Sequence, residues 1–321
     1  IERNNHWSFF SLPQHQSLYE KSSSSLVVAA DFHMKFPPEN MRIYSIGDIG
    51  YASGLIYFCG IDYNLVPVIC NPITGRYAAL PSLEGYRINS PSFFGFDPID
   101  KQFKVLFMAD PFGHDHHQIL TLGTGKMRWR KIKCSLTHEA LIEGICINGV
   151  LHYLGYTSEE MPDYVIVCFD VRSEKFKFIY PESLCDLIIY KGKLGVIYSD
   201  DGVSDDAIEL RVWVLEDVDK QECNGKLLFH KVGVVGVTAT GEIVLSGYFT
   251  SREPFYVFYY NPERNTLKRV EIQGFGGEYH EESHNRSRVH VFADHVEDLN
   301  VNDPKLLKLS IYAPYVKTED E

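Results

Sequence analysis

One pattern recurs along this chain: an apolar run ends in a turn-forming residue, and six positions later a second run carries a large apolar side chain. In VICNPITGRYAAL the two positions are Asn71 and Tyr77, in LTLGTGKMRWRKI Gly123 and Trp129, in VCFDVRSEKFKFI Asp170 and Phe176, and in FYYNPERNTLKRV Asn261 and Leu267. Asn, Asp, Gly and Pro set up tight turns, so each unit reads as two antiparallel strands joined by a short loop. A fifth unit, from Leu210 to Val232, repeats the pattern around Glu216 and Asp217 with an insertion in its loop. The anchors fall about 45 to 50 residues apart, the repeat expected of four-stranded propeller blades. A second hairpin lies between successive anchors, as in SFFGFDPIDKQFKVLFM and GICINGVLHYLGY.

The expected architecture is therefore an all-β propeller of about six four-stranded blades, with seven as the alternative count. Five blades span about 43–81, 92–133, 143–180, 185–232 and 234–272. A radial array must hide its open edges, so the last blade is expected to combine both chain ends, 1–36 with 287–300. Residues 1–300 then form a single domain, and 301–321 an extension with an acidic tail. Ser22 to Ser25 read as a surface loop within the closing blade. GDIGYASG, despite its glycines, reads as a hairpin turn and not as a nucleotide-binding loop.

Composition narrows the partners. A net charge of −12 would repel a phosphate backbone, and no cluster of Lys and Arg is interleaved with aromatics, so nucleic acid is not expected. The apolar runs are strand-sized, far below the roughly 20 residues of a membrane span, and IERNNHWSFF lacks a signal-peptide profile, so no membrane partner is expected. Seven cysteines make an odd set without a CxxC pair, which points to a reducing, intracellular setting, cytoplasmic or nuclear. The chain begins at Ile1, which suggests a longer or processed polypeptide.

Three constellations invite chemistry. HEESH, His280 to His284, fits the HExxH pattern of zinc proteases, in which two histidines one helical turn apart bind the metal. Its flanks carry no apolar stripe for a helix to bury, and Gly276 and Gly277 disfavour a helix there, so the match reads as chance. His114, Asp115, His116 and His117 in FGHDHHQ are capable of holding a transition metal but read as solvated loop residues. Asp200, Asp201, Asp205 and Asp206 lack the spacing of a calcium loop. No cofactor, metal or catalytic residue is assigned, and no GxSxG elbow, P-loop or dinucleotide fingerprint occurs.

The loops carry the recognition signal. In up-and-down blades the loops from second to third strand share a face with the connectors between blades, while the hairpin turns occupy the other. The first face is the richer, offering Tyr63, Tyr86, Arg87, Phe112, His114, Tyr156, Tyr248 and Arg252. Aromatic and arginine side chains dominate protein interface hot spots, so a protein partner is expected here.

The succession ICNPITGRYAALP, FFGFDPIDKQFKVL, EGICINGVLHYLGY, VIVCFDVRSEKFKFI and DLIIYKGKLGVI resembles the associated interaction domain of plant F-box proteins, type 3. The resemblance implies a substrate receptor of an SCF-type ubiquitin ligase. In that arrangement an F-box expected upstream of residue 1 docks a Skp1-like adaptor and cullin, and this domain presents the target. The family carries no fixed catalytic residues, so none is transferred. The other classes open to such a chain are a propeller hydrolase acting on carbohydrate, with paired carboxylates in its channel, and a carbohydrate or small-molecule binder without catalysis.

Overall fold

The computed structural model describes residues 2–3, 6–12, 26–36, 49–61, 66–82, 90–108, 117–123, 127–141, 144–157, 163–200, 208–214, 223–227, 232–247, 249–250, 254–274 and 287–293. Among them all regular structure is β, and no α-helix occurs. The described strands form six sheets, and by internal contacts the described residues divide into two units, one within 37–187 and the other within 1–36 and 188–295.

The hairpin grammar has a local cause. Asn71 Oδ1 accepts hydrogen bonds from the amides of Ile73 and Thr74, and Asn261 Oδ1 accepts one from Arg264. Asp170 Oδ1 likewise accepts from Ser173, and Asp97 Oδ1 from Ile99. Four residues after each acceptor the backbone turns left-handed, at Gly75, Asn265, Glu174 and Lys101. The side chain thus substitutes for a backbone partner and closes the turn. The alternating hairpins use a tighter device, such as Asn148–Gly149 with φ of 48° and 83°, which matches the twist of the flanking strands.

In the first unit, three sheets follow in chain order. Ile49–Ala52, Leu55–Ile61, Val66–Cys70 and Tyr77–Ala79 make one. Ser92–Asp97, Gln102–Met108, His117–Thr121 and Arg130–Ile132 make the second. The third holds Ile145–Ile147, Val150–Tyr156, Tyr164–Asp170 and Lys175–Ile179, with the short strand Glu139–Ala140 beside Ile145–Ile147 on the same edge. The middle sheet is buried on both faces. Phe94, Phe103, Val105 and Leu120 pack with Tyr57 and Ile69 of the first sheet, while Phe93, Leu106, Met108 and Ile119 pack with Leu151, Tyr153 and Val167 of the third. Successive residues of a strand point to opposite faces, so a strand covered on both sides must be apolar throughout. SFFGF and FKVLFM are written that way except at Lys104, whose ammonium is paired with Glu174. The Phe93 and Tyr153 rings stack at 4.0 Å between centroids.

GDIGYASG divides differently from its sequence reading. Gly50 lies inside Ile49–Ala52, where an added Cβ would sit 2.7 Å from Phe94 Cβ, and only Ser53 and Gly54 make the turn. In the second unit, Val232–Val237, Ile243–Gly247, Phe255–Asn261 and Thr266–Gln273 form one sheet, and Leu26–Ala29 adds to its outer edge in parallel. That strand covers an edge that would otherwise expose unpaired backbone groups. Asp31–Phe36, His6–Ser11, Glu2–Arg3, Ser287–Arg288 and Phe249–Thr250 form another sheet, in which Glu2 pairs with Arg288. Asp186–Tyr190, Lys193–Asp200, Ile208–Val214 and Cys223–Leu227 form the sixth.

Candidate functional site

Of the eight residues expected to bind a protein partner, Tyr156 is described. It ends the strand Val150–Tyr156, where the chain enters the loop toward Tyr164–Asp170, and it is half-buried opposite Glu139 in the strand register. Its hydroxyl donates to Glu139 Oε2, and the amide of Thr157 donates to Asp163 O at 3.2 Å, closing the base of the loop. Leu141, two residues beyond Glu139, is exposed. Tyr63, Tyr86, Arg87, Phe112, His114, Tyr248 and Arg252 lie outside the described residues, as do HEESH and Asp201, Asp205 and Asp206.

His117 is placed otherwise than its sequence neighbours suggested. It is not a loop residue but opens the strand His117–Thr121, paired with Met108 on one side and Ile132 on the other, and it is buried. Across from it runs the connector between the second and third sheets, which carries Cys134 and His138. The three side chains bring one potential ligand atom each within 4.8 Å of one another.

The cluster has an ordered hydrogen-bond scheme. His138 Nδ1 lies 3.0 Å from Leu136 O, and a carbonyl only accepts, so Nδ1 holds the proton. Burial lowers the His138 pKa and favours the neutral ring, with the Leu136 hydrogen bond opposing. Its Nε2 is then a bare acceptor and takes the Tyr153 O–H at 2.8 Å. Cys134 Sγ donates to the same Leu136 carbonyl at 3.3 Å, and burial pushes its thiol up. Gly155 makes room for the connector, since an added Cβ would lie 2.5 Å from Glu139 O and 3.3 Å from His138 Cδ2.

The other strand face carries a second polar pair. His152 Nδ1 and Cys168 Sγ sit 3.3 Å apart as cross-strand neighbours. Burial pulls His152 down to about 4 and pushes Cys168 up to about 11, so both are neutral at pH 7.

Ion pairs tie the second and third sheets together. Lys104 Nζ contacts Glu174 Oε1 at 2.7 Å with both side chains largely buried, and Arg130 reaches the same oxygen. Burial alone would raise the Glu174 carboxyl, but the hydrogen bonds and charges of Arg130 and Lys104 outweigh it and hold it below the usual range. Arg172 pairs with Asp100 at 3.1 Å between the exposed turns of the same two sheets.

Sequence reasoning passed over Cys134, His138 and Tyr153. The signal was the spacing Cys-x3-His in KCSLTHEAL, which reads as a plain connector until His117 is brought opposite it by strand pairing.

Comparison with known proteins identifies the frame that holds these groups. Residues 1–296 match the family described as the F-box associated beta propeller domain. The F-box protein At1g47340 of Arabidopsis thaliana is 59% identical over 351 aligned positions, covering 100% of this chain and 76% of that protein. The F-box protein At2g15640 of the same plant is 51% identical, covering 99% and 84%. Among solved structures, the β-propeller domain of the Trilobed protease from Pyrococcus furiosus superposes with a TM-score of 0.43 at 13% identity, covering 70% of this chain and 69% of that one. On the family match and the plant relatives, the chain belongs to the F-box associated beta propeller domain family.

Proposed function

We propose that this chain is the target-binding module of an SCF-type ubiquitin ligase receptor and has no catalytic step of its own. The observation that carries the reading is the family match across residues 1–296, together with relatives that are F-box proteins over nearly the whole chain. In this division of labour an F-box docks a Skp1-like adaptor and, through it, the cullin, while the propeller domain holds the protein to be ubiquitylated. The physical design supports it: a sheet packed on both faces and tied to its neighbour by the buried Lys104–Glu174 pair makes a firm frame, as a recognition module requires.

The edge bearing Tyr156, Glu139 and Leu141 is the described part of the binding face. A Tyr hydroxyl anchored on a carboxylate is held in one orientation, so less rotamer entropy is lost when a partner covers the ring. Cys59, Cys70, Cys134, Cys146, Cys168 and Cys185 are free, which suits a reducing compartment, cytoplasm or nucleus.

The test uses the full-length protein, tagged in plant cells and captured with and without proteasome inhibition. The expected result is a Skp1-like adaptor in both samples and one or more further proteins enriched by the inhibitor. Those further proteins should be lost from a Tyr156→Ala, Leu141→Ala variant that keeps the adaptor. Inhibitor-sensitive partners retained in full by that variant would refute the assignment of the edge. A protein that captures the adaptor but never an inhibitor-sensitive partner would refute the receptor reading itself.

A further inference from the structure

His117, Cys134 and His138 are the described group of side chains that combines two imidazoles and a thiol within 4.8 Å. A donor set of two nitrogens and a sulfur suits a borderline-soft transition metal and not calcium or magnesium. We propose that these three residues form a zinc site, with the Tyr153 hydroxyl bordering the open fourth position.

The surroundings are those of a ligand set. A metal-binding histidine is ordinarily held by its second ring nitrogen on a carbonyl or carboxylate, which fixes the tautomer and aims the other nitrogen. His138 has that arrangement: Nδ1–H is engaged by Leu136 O, and Nε2 is the lone pair aimed at Tyr153 Oη. His117 is positioned by a strand paired on both sides, while His138 and Tyr153 are buried against the third sheet. Cys134 is the partly exposed member, on the stretch after Arg130–Ile132, and so marks the entry path.

Binding balances simply. The Cys134 thiol gives its proton to solvent, its hydrogen bond to Leu136 O is released, and the thiolate bonds the metal. His138 Nε2 exchanges the Tyr153 hydrogen bond for the metal, and the hydroxyl turns to a water in the fourth position. Tetrahedral zinc with bonds of about 2.0–2.3 Å sets its ligand atoms about 3.3–3.6 Å apart, so the cluster must close by about 1 Å. Cys134, outside any strand, is the residue free to move that far. The consequence is structural: the metal would pin the connector that leads into Glu139, the hydrogen-bond partner of Tyr156.

The competing account is a polar network complete without metal, and the two differ in what cobalt reports. The purified chain, stripped with a chelator and dialysed, is titrated with Zn²⁺ and separately with Co²⁺. The expected result is one tight equivalent of zinc and a thiolate-to-cobalt charge-transfer band. Cys134→Ser should abolish the band, and His138→Asn should weaken zinc binding by about 10-fold or more. Replacing His114, His116, His280 and His284 together by Asn should leave the band intact, which separates this cluster from HDHH and HEESH. In the unaltered chain zinc should slow alkylation of Cys134 but not of Cys185, a readout that needs no variant to fold. A cobalt complex without a thiolate band, or Cys134 alkylated equally fast with and without zinc, would overturn the site.

Discussion

The Lys104–Glu174 pair gives the sharpest test of how the first unit is held together. At 2.7 Å and an effective dielectric near 20, the gross attraction is about 6 kcal/mol, of which desolvation of the two groups removes a large part. With side-chain exposures of 7% and 19%, we expect a net coupling of about 2–3 kcal/mol. Arg172–Asp100 supplies the control: it joins the same two sheets at 3.1 Å but is 53% and 47% exposed, so its coupling should be about 0.5 kcal/mol. The assay is a pair of double-mutant cycles by urea unfolding, Lys104→Met with Glu174→Gln and Arg172→Met with Asp100→Asn. Raising the salt to about 1 M shortens the screening length to about 3 Å, which should erase the second coupling and leave most of the first. Equal couplings, or a buried coupling that vanishes in salt, would show that the sheets are held by apolar packing alone.

Acid should weaken the fold through its buried histidines. His152 has its folded pKa lowered to about 4, so its contribution is complete above the unfolded value of 6.5 and is lost as pH falls toward 4. Stability measured by urea unfolding should drop by about 2 kcal/mol between pH 7 and pH 5 from this group, and His152→Asn should flatten that slope. His138 acts in the same direction, and Glu174, held below the usual carboxylate range, extends the loss at lower pH. An unchanged slope in the variant would contradict the burial argument. Gly155→Ala places a methyl 2.5 Å from a backbone oxygen, so it should cost about 2 kcal/mol or more and displace the connector that carries His138. Full retention of the unfolding midpoint would show that the connector moves freely.

Some of this was legible in the sequence because its cause is local. Asn71, Asp170 and Asn261 announce their turns through their own side chains, and the structure shows each one accepting the amide hydrogen bonds that the pattern implied. The recurring hairpin pattern likewise carried the all-β reading. What depends on long-range register was not legible. His117 sat beside His114 and His116 in the sequence, yet strand pairing with Met108 and Ile132 draws it into the core while the connector brings Cys134 and His138 across from it. The parallel addition of Leu26–Ala29 to Thr266–Gln273 has no local signal either, because an edge is filled by whatever segment reaches it. Of the loop aromatics and arginines, the structure speaks for Tyr156.

Recognition at the Tyr156 edge is tested most directly by photo-crosslinking from chosen positions of the full-length protein in plant cells. A crosslinker at Tyr156 should capture a protein whose yield rises on proteasome inhibition, whereas one at Ile99, exposed in a hairpin turn of the neighbouring sheet, should not. Inhibitor-sensitive products arising from Ile99 and absent from Tyr156 would contradict the account.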